Sequence, residues 1–398
     1  MQIDRQFHLT YCTNVHPGAD WKTTFAALEA HLVQIRTAVS PNAPFGLGLR
    51  LSDKASRELD MGNQLDLFAD WLRANDIYVF TMNGFPYGNF HGQPVKDQVH
   101  FPDWTTSQRW DYTDRLFRQL AYLLPEGMEG GISTSPVSYR HWHKTEIDRD
   151  QVLRTGAQQM AKIALQLVNI ETQTGKYLHL DIEPEPDGML EKTADVLEFF
   201  HRFLIPEGTE LLVSVLGVTE EAAKALLLRH LTLCYDVCHF ALAFEDPQHV
   251  FSEMEKAGIR IGKIQVSAAL RIPEFVPDNT EIISALQAYN EPVYLHQVTT
   301  KTENGVKTWS DLPELFKEKQ SYGELRAHFH VPIFSESFGV LGATQREILE
   351  VVDYIKAHPI CKHLEVETYT WEVLPGHKDE LSRSISRELL WLHAHLKE

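Results

Sequence analysis

Short runs rich in β-branched and aromatic residues alternate with longer segments of helical period along the chain, the signature of βα units around a parallel sheet. In the first unit FHLTYCTNV (7–15) reads as a strand and DWKTTFAALEAHLVQIRTAV (20–39) as a helix, with Phe25, Leu28, Leu32, Ile35 and Val39 forming one apolar stripe. Asp20 is its expected N-cap and Pro41 its stop. Further strands are expected at FGLGLRLS (45–52), IYVFTMNG (77–84), GGISTSP (130–136), YLHLDIEPE (177–185), LCYDVCHF (233–240), GKIQVSAA (262–269), HFHVPIF (328–334) and HLEVETYTW (363–371). Helical patterns lie between most of them, including 247–258, closed by Gly258, and 343–359; a last helix over 378–397 ends the chain. Nine strands for the eight places of a (β/α)₈ TIM barrel leave one expected outside it. The expectation is therefore one α/β barrel domain over 1–398 with two insertions. One is a lid-like loop at 84–106, rich in Gly, Pro and aromatics; the other, at 270–327, contains a hairpin in VYLHQVTTKTENGVKTWSD.

Composition narrows the function more than the fold. A net charge of −18 over 398 residues argues against nucleic acid and against an anionic membrane surface as partners. No basic-then-apolar leader opens the sequence and no run of ~18 apolar residues occurs, so neither a secretory signal nor membrane insertion is expected. Four cysteines are too few for a disulfide scaffold, which makes a reducing cytoplasm the expected compartment and Cys234 and Cys238 structural thiols.

A helix-covered parallel strand is apolar at nearly every position. Here the strands carry polar side chains at their C-terminal ends, where barrel active sites lie. In order these are Asn14 and His16, Arg50 and Ser52, Asn83, Ser133 and Ser135, Asp181 and Glu183, Asp236 with His239, Gln265 and Ser267, His328 and His330, then Glu365 and Glu367. Ligand-type residues concentrate late in the chain: Glu183, Asp236, His239, His330 and Glu367, with Gln265 between them. Carboxylates converging in a buried mouth must take up protons or share a cation. Imidazoles at the same level favour a divalent cation such as Mn²⁺, Zn²⁺, Fe²⁺ or Co²⁺. Each residue also has a plainer reading: Glu183 as a solvated strand end, Asp236 as a helix N-cap, His328 and His330 as core histidines, Glu365 and Glu367 as edge-strand carboxylates.

The order strand-end Glu183, Asp236 with His239 as D-x-x-H, Gln265, His328 and His330 as H-x-H, and a final Glu367 resembles the xylose-isomerase-like (β/α)₈ superfamily. That resemblance implies a metal held by Glu183, Asp236 and Glu367, with Gln265 standing where a ligand His is usual and His330 supplying the missing imidazole. LTYCTNVHPG (9–18), VFTMNGFPYGNFHG (79–92), VKDQVHFPDWTT (95–106), IEPEPDGMLE (182–191), CYDVCHFA (234–241) and HFHVP (328–332) are similar to the metabolite-traffic protein EboE family. Membership implies a cytoplasmic role in the traffic of secondary-metabolite precursors, alongside other proteins of that pathway. The reaction the residues support is isomerisation or epimerisation of a small polyol, sugar or cyclitol, with Glu183 and Glu367 moving a proton and His239 orienting a hydroxyl or stabilising an oxyanion. Asn83 and Gln265 are expected to contact substrate, and Arg50, Lys96 and Arg140 to bind a phosphate if it carries one. Two alternatives stay open: a non-catalytic metabolite carrier, and a phosphodiesterase or lyase of the endonuclease IV type. Asp181 is expected to be a deeper hydrogen-bonding residue, Glu185 to lie past the rim, and His328 to belong to the core.

Overall fold

Eight of the nine expected strands run parallel, side by side, in the computed structural model, which describes residues 1–4, 6–89, 91–92 and 94–397. Their order is Phe7–Tyr11, His363–Val366, Ile261–Val266, Leu231–Asp236, Leu178–Ile182, Gly130–Thr134, Ile77–Asn83 and Phe45–Arg50. A parallel bridge between Cys12 and Gly48 joins the two ends, so the sheet closes as a barrel. The helices form where their end signals lie. Trp21–Val39 begins at Asp20, whose side chain accepts from the Thr23 N–H at 2.9 Å, and Pro247–Ala257 ends at Gly258, where φ is +73°. The strand expected over 233–240 instead stops at Asp236, which caps the short helix Val237–Leu242.

Along each strand the period of two sends one set of side chains out to the helices and the other into the barrel. Leu47, Leu49, Ile132, Leu180, Leu233, Ile264 and Leu364 are fully buried on the outer side. The interior is polar. Lys263 and Glu365 form an ion pair in which neither side chain is exposed, with Lys263 Nζ also 3.3 Å from Ser133 Oγ. Asp181 is bonded to His179 and to Thr232 deeper in the same interior, as expected for it. Two glycines make room for these groups: a Cβ on Gly48 would collide with the Glu365 carboxylate, and one on Gly262 with Asp181.

The ninth strand is the outsider, and it is the H-x-H segment. Observed as Leu325–His330, it lies antiparallel between Val298–Thr302 and Ala269–Ile272 in a six-stranded sheet that also holds Gly305–Trp309, Leu341–Ala343 and Ser337–Phe338. Val298–Thr302 and Gly305–Trp309 are the arms of the expected hairpin. Ala269–Ile272 begins just beyond the barrel strand Ile261–Val266, and the Val331 N–H bonds to Ala268 O at 2.9 Å, so this layer is rooted at the C-terminal end of the barrel. The 84–106 segment carries a 3₁₀ turn, Lys96–His100, and joins the same layer through Val95 N–H to Val293 O at 2.8 Å. Phe90 and Gln93 of that segment lie outside the described residues. No helix among the described residues is long and apolar enough to cross a membrane.

Candidate functional site

The acids arrive at strand ends. Glu183 follows Leu178–Ile182 with its N–H on Thr134 O at 3.0 Å, and Glu367 follows His363–Val366 with its N–H on Val266 O at 3.1 Å. These bonds carry the ladder one residue past each strand and fix the direction of both side chains. Asp236 Oδ1 accepts from the His239 N–H at 3.1 Å and the Ser267 hydroxyl at 2.7 Å, whereas Oδ2 is buried without a hydrogen-bond partner. The cap reading and the ligand reading of Asp236 thus apply to different oxygens of one carboxylate. Glu183 Oε2 is likewise buried and without a hydrogen bond. One oxygen from each of Glu183, Asp236 and Glu367 lies within 4.8 Å of the other two.

Burial, and then crowding of like charge, governs the titration of Glu183 and Glu367. Burial pushes the Glu183 carboxyl well above the usual carboxylate range, and the nearby Glu367 and Asp236 push it further. Glu367 is raised to about 8, first by burial and then by Asp236 and Glu365. Asn14 and Asn83 oppose this by donating from Nδ2 to Glu367 Oε1 at 2.8 and 3.0 Å. Three buried acids converging on one point, two of them with a buried oxygen that makes no hydrogen bond, are a donor set that a hard divalent cation could use.

One imidazole adjoins this set on the Asp236 side. His330 Nδ1 donates to the Glu367 carbonyl at 2.6 Å, so in the neutral ring Nε2 keeps its lone pair, and that atom is buried without a hydrogen-bond partner. Burial lowers the His330 pKa to about 4, which keeps the ring neutral. Ring nitrogens of His330 and His239 lie within 4.8 Å of an Asp236 oxygen. A ring fixed through one nitrogen by a carbonyl, with the other nitrogen presented, is the usual posture of a metal-ligating histidine. Gln265 does not line the cavity at the barrel mouth. Its Cα partners are Asp236 and Glu365, two residues short of Glu367, and its buried amide makes no hydrogen bond through either atom.

Glu183, Glu367, His239, His330, Asn83 and Lys96 line one cavity at the barrel mouth, with Asp236 just behind the wall. Of the expected phosphate-binding cations, Lys96 lines the cavity and Arg50 and Arg140 do not. Arg50 is buried and donates to the carbonyls of Gly18, Pro86 and Gly88, tying down the 84–106 segment instead of reaching the cavity. Arg140 pairs with Asp195 at 2.9 Å and with the Gly188 carbonyl at 3.0 Å, and Lys96 pairs with Asp311 at 2.7 Å. Conversely, Glu185 and His328 line the cavity, against their expected places past the rim and in the core. The chain turns back after Pro184: Glu185 N–H bonds to Leu190 O at 3.0 Å and Asp187 adopts φ +62°. The prolines at 184 and 186 are the signal that strand alternation ends at Glu183. Phe85, Val95, Val99, Tyr294, Leu295 and Tyr369 give the outer cavity an apolar and aromatic wall.

No protein-family profile matches the chain, and no curated protein matches it in sequence. Solved structures do. A xylose isomerase-like TIM barrel protein from Mycobacterium smegmatis, in complex with magnesium, matches 100% of this chain and 98% of its own at a TM-score of 0.50 and 8% identity. A xylose isomerase domain protein from Planctomyces limnophilus matches 89% of this chain and 98% of its own, with a TM-score of 0.43 and 12% identity. Another from Alicyclobacillus acidocaldarius matches 98% and 99%, with a TM-score of 0.43 and 9% identity. At such identities the likeness is one of architecture, and the chain has the fold of the xylose isomerase-like TIM barrels.

Proposed function

We propose that this protein is a divalent-metal-dependent isomerase or epimerase of a small polyhydroxylated carbonyl compound, with Glu183, Asp236, Glu367 and His330 as the ligands. The observation that carries this reading is the convergence of three buried carboxylates, two of them with an oxygen that makes no hydrogen bond. When bound, the cation would fix adjacent substrate oxygens and polarise the carbonyl. The rest of the chemistry belongs to the side chains. Glu183 and Glu367 come from strands three places apart around the ring, and each would give and take a proton through an oxygen the cation leaves free. Asn14 and Asn83 hold Glu367 Oε1 and so leave Oε2 for that work. His239 has its Nδ1 proton on the Pro184 carbonyl at 2.8 Å, so it faces the cavity as an acceptor and does not serve as an oxyanion donor.

The cations of the region are paired and the outer wall is apolar, so the substrate in this reading is uncharged and carries an apolar portion, rather than a phosphate. The EboE-like motifs contribute Asn14, Asn83, Phe85, Glu183, Glu185, His239, His328 and His330 to the site, which supports a cytoplasmic role in precursor traffic with other proteins of that pathway. Elemental analysis of the purified protein and of Glu183→Ala and Glu367→Ala tests the centre. The expected result is near-stoichiometric metal in the wild type and its loss in both variants. Incorporation of solvent deuterium into candidate polyols then separates proton transfer from binding. A protein that binds such a compound and exchanges no carbon-bound hydrogen is a carrier, the reading favoured by Gln265 at the usual ligand position.

A further inference from the structure

The cavity that holds the acids is small, about 60 Å³, well under the ~300–1,000 Å³ of ordinary small-molecule sites. Its apolar wall is not the end of the available space. Pro86, Val95 and Val99 line this cavity and also line a second cleft of about 320 Å³ beside the 3₁₀ turn Lys96–His100. Both walls of that shared neck are held in place: Arg50 donates to the Pro86 carbonyl at 3.0 Å, and the Val95 N–H to the Val293 carbonyl at 2.8 Å. Beyond the neck Tyr87, Pro94, Phe101 and Pro102 continue the apolar lining, and the polar side chains among them are the uncharged Asn89, Gln98 and Gln108. In a chain with 23% charged residues, no charged side chain among the described residues lines this cleft. Phe101 is 55% exposed, an aromatic ring left in water at the cleft.

We propose that this cleft is a subsite for an apolar chain carried by the substrate, whose hydroxylated head lies among the acids and whose chain passes between Pro86 and the two valines. The inference deepens the reading of the inner cavity as a polyol site and rests on it for the head alone; it requires no metal. Volume divides the ligand in this way: the inner cavity takes a few polar atoms, and only with the cleft does the occupied space reach that of an ordinary small-molecule site. Chemistry assigns the outer part. A neck of one proline and two valines offers no hydrogen-bonding side chain, so hydroxyls crossing it would lose water without a partner, a cost that an alkyl chain does not incur. The absence of charged lining residues disfavours a phosphate or carboxylate end in the same way. A chain lying on Phe101 removes its own apolar surface and that of the ring from water together. The competing account treats the cleft as room into which the turn retreats to enlarge the inner cavity; the hydrogen bonds that fix both walls of the neck oppose it.

The test measures dissociation constants by ligand-observed NMR on the full chain for two series of probes, butane-1,2-diol to octane-1,2-diol and butan-1-ol to octan-1-ol. The samples are the wild type, Val99→Trp, which obstructs the neck, and Phe101→Asp, which places a charge at the outer lining. In the wild type each methylene that enters the neck and cleft is expected to tighten binding by about fourfold. Val99→Trp is expected to abolish that gain beyond the butyl members, and Phe101→Asp to reduce it for the longest chains. Affinity that does not depend on chain length in the wild type overturns the subsite, as does the failure of every probe to bind; the first is the outcome that a retreating turn predicts. A length dependence that survives intact in Val99→Trp overturns it too. If Val99→Trp does not fold, the exposed Phe101→Asp carries the comparison by the same criterion. The two readings fail separately. Diols that bind no tighter than alcohols of equal length, with the length dependence present, remove the polyol reading of the inner cavity and uphold the apolar subsite. Diols that bind tighter than alcohols without any length dependence do the reverse.

Discussion

Glu367 sits between two amides that favour its charged form and two acids that oppose it, and burial decides for the proton, with a pKa of about 8. A cation at this cluster would need the carboxylate form, and so would displace that proton and the one held by Glu183. Affinity for Mn²⁺ or Zn²⁺ is therefore expected to rise with pH up to about 8, with protons released on binding. Calorimetry in buffers of different ionisation enthalpy measures this; a flat affinity from pH 6 to about 8.5 without proton release contradicts it. At this scale the sequence was informative wherever a strand end set the side-chain direction, which covers Glu183, Asp236 and Glu367. It was silent where a turn did so, as for Glu185 after Pro184, and where an acceptor chose the ring nitrogen, as for His239 and His330.

The ninth strand brings His328 and His330 to the mouth from a sheet outside the barrel, so the placement of both imidazoles depends on how that sheet packs. Phe329, between the two histidines and pointing the other way, is fully buried against Tyr289 and His296. Phe329→Ala is expected to cost about 3–5 kcal/mol and to weaken metal binding without deleting a ligand, measured by urea unfolding and metal titration. Unchanged affinity in the folded variant would show that His330 is placed without that packing. The C-terminal helix Leu381–Lys397 holds the other side of the site. Its Glu388 accepts from the Ile333 N–H at 3.2 Å and the Thr368 hydroxyl at 2.7 Å, and burial raises its pKa to about 8. Between the unfolded value near 4.5 and about 8 the folded chain holds a proton that the unfolded chain lacks, so this group lowers stability as pH rises through that window. Glu388→Gln keeps both acceptor bonds and is expected to flatten the decline between pH 5 and about 8 in urea unfolding. An identical slope in the variant excludes Glu388 as its source. The hairpin and the barrel strands were legible from period and turn residues, but which of nine similar strands leaves the ring was not, because local pattern does not encode pairing partners.

The whole barrel is organised around a polar axis that runs from the His179–Asp181 pair, past Lys263 and Glu365, to the acids of the mouth. Burial lowers the Lys263 pKa, but Glu365 together with the neighbouring Cys234 and Cys12 raises it by more, so the ammonium stays charged at its depth. Lys263→Met leaves Glu365 unpaired and is expected to destabilise by about 3–5 kcal/mol, with much of that recovered in Lys263→Met combined with Glu365→Leu. Equal unfolding midpoints for the single variant and the wild type would show that the pair is not a net support of the barrel. The sequence by itself determined the βα order, the helix ends and the presence of a polar ring, because strand period, caps and composition act over a few residues. Tertiary structure decided which strand left the barrel, which arginines were already bound to carbonyls, and which nitrogens and oxygens were left without partners. Those outcomes depend on contacts between segments far apart in the chain, and they gather part of a ring of polar residues into one buried cluster of carboxylates and imidazoles.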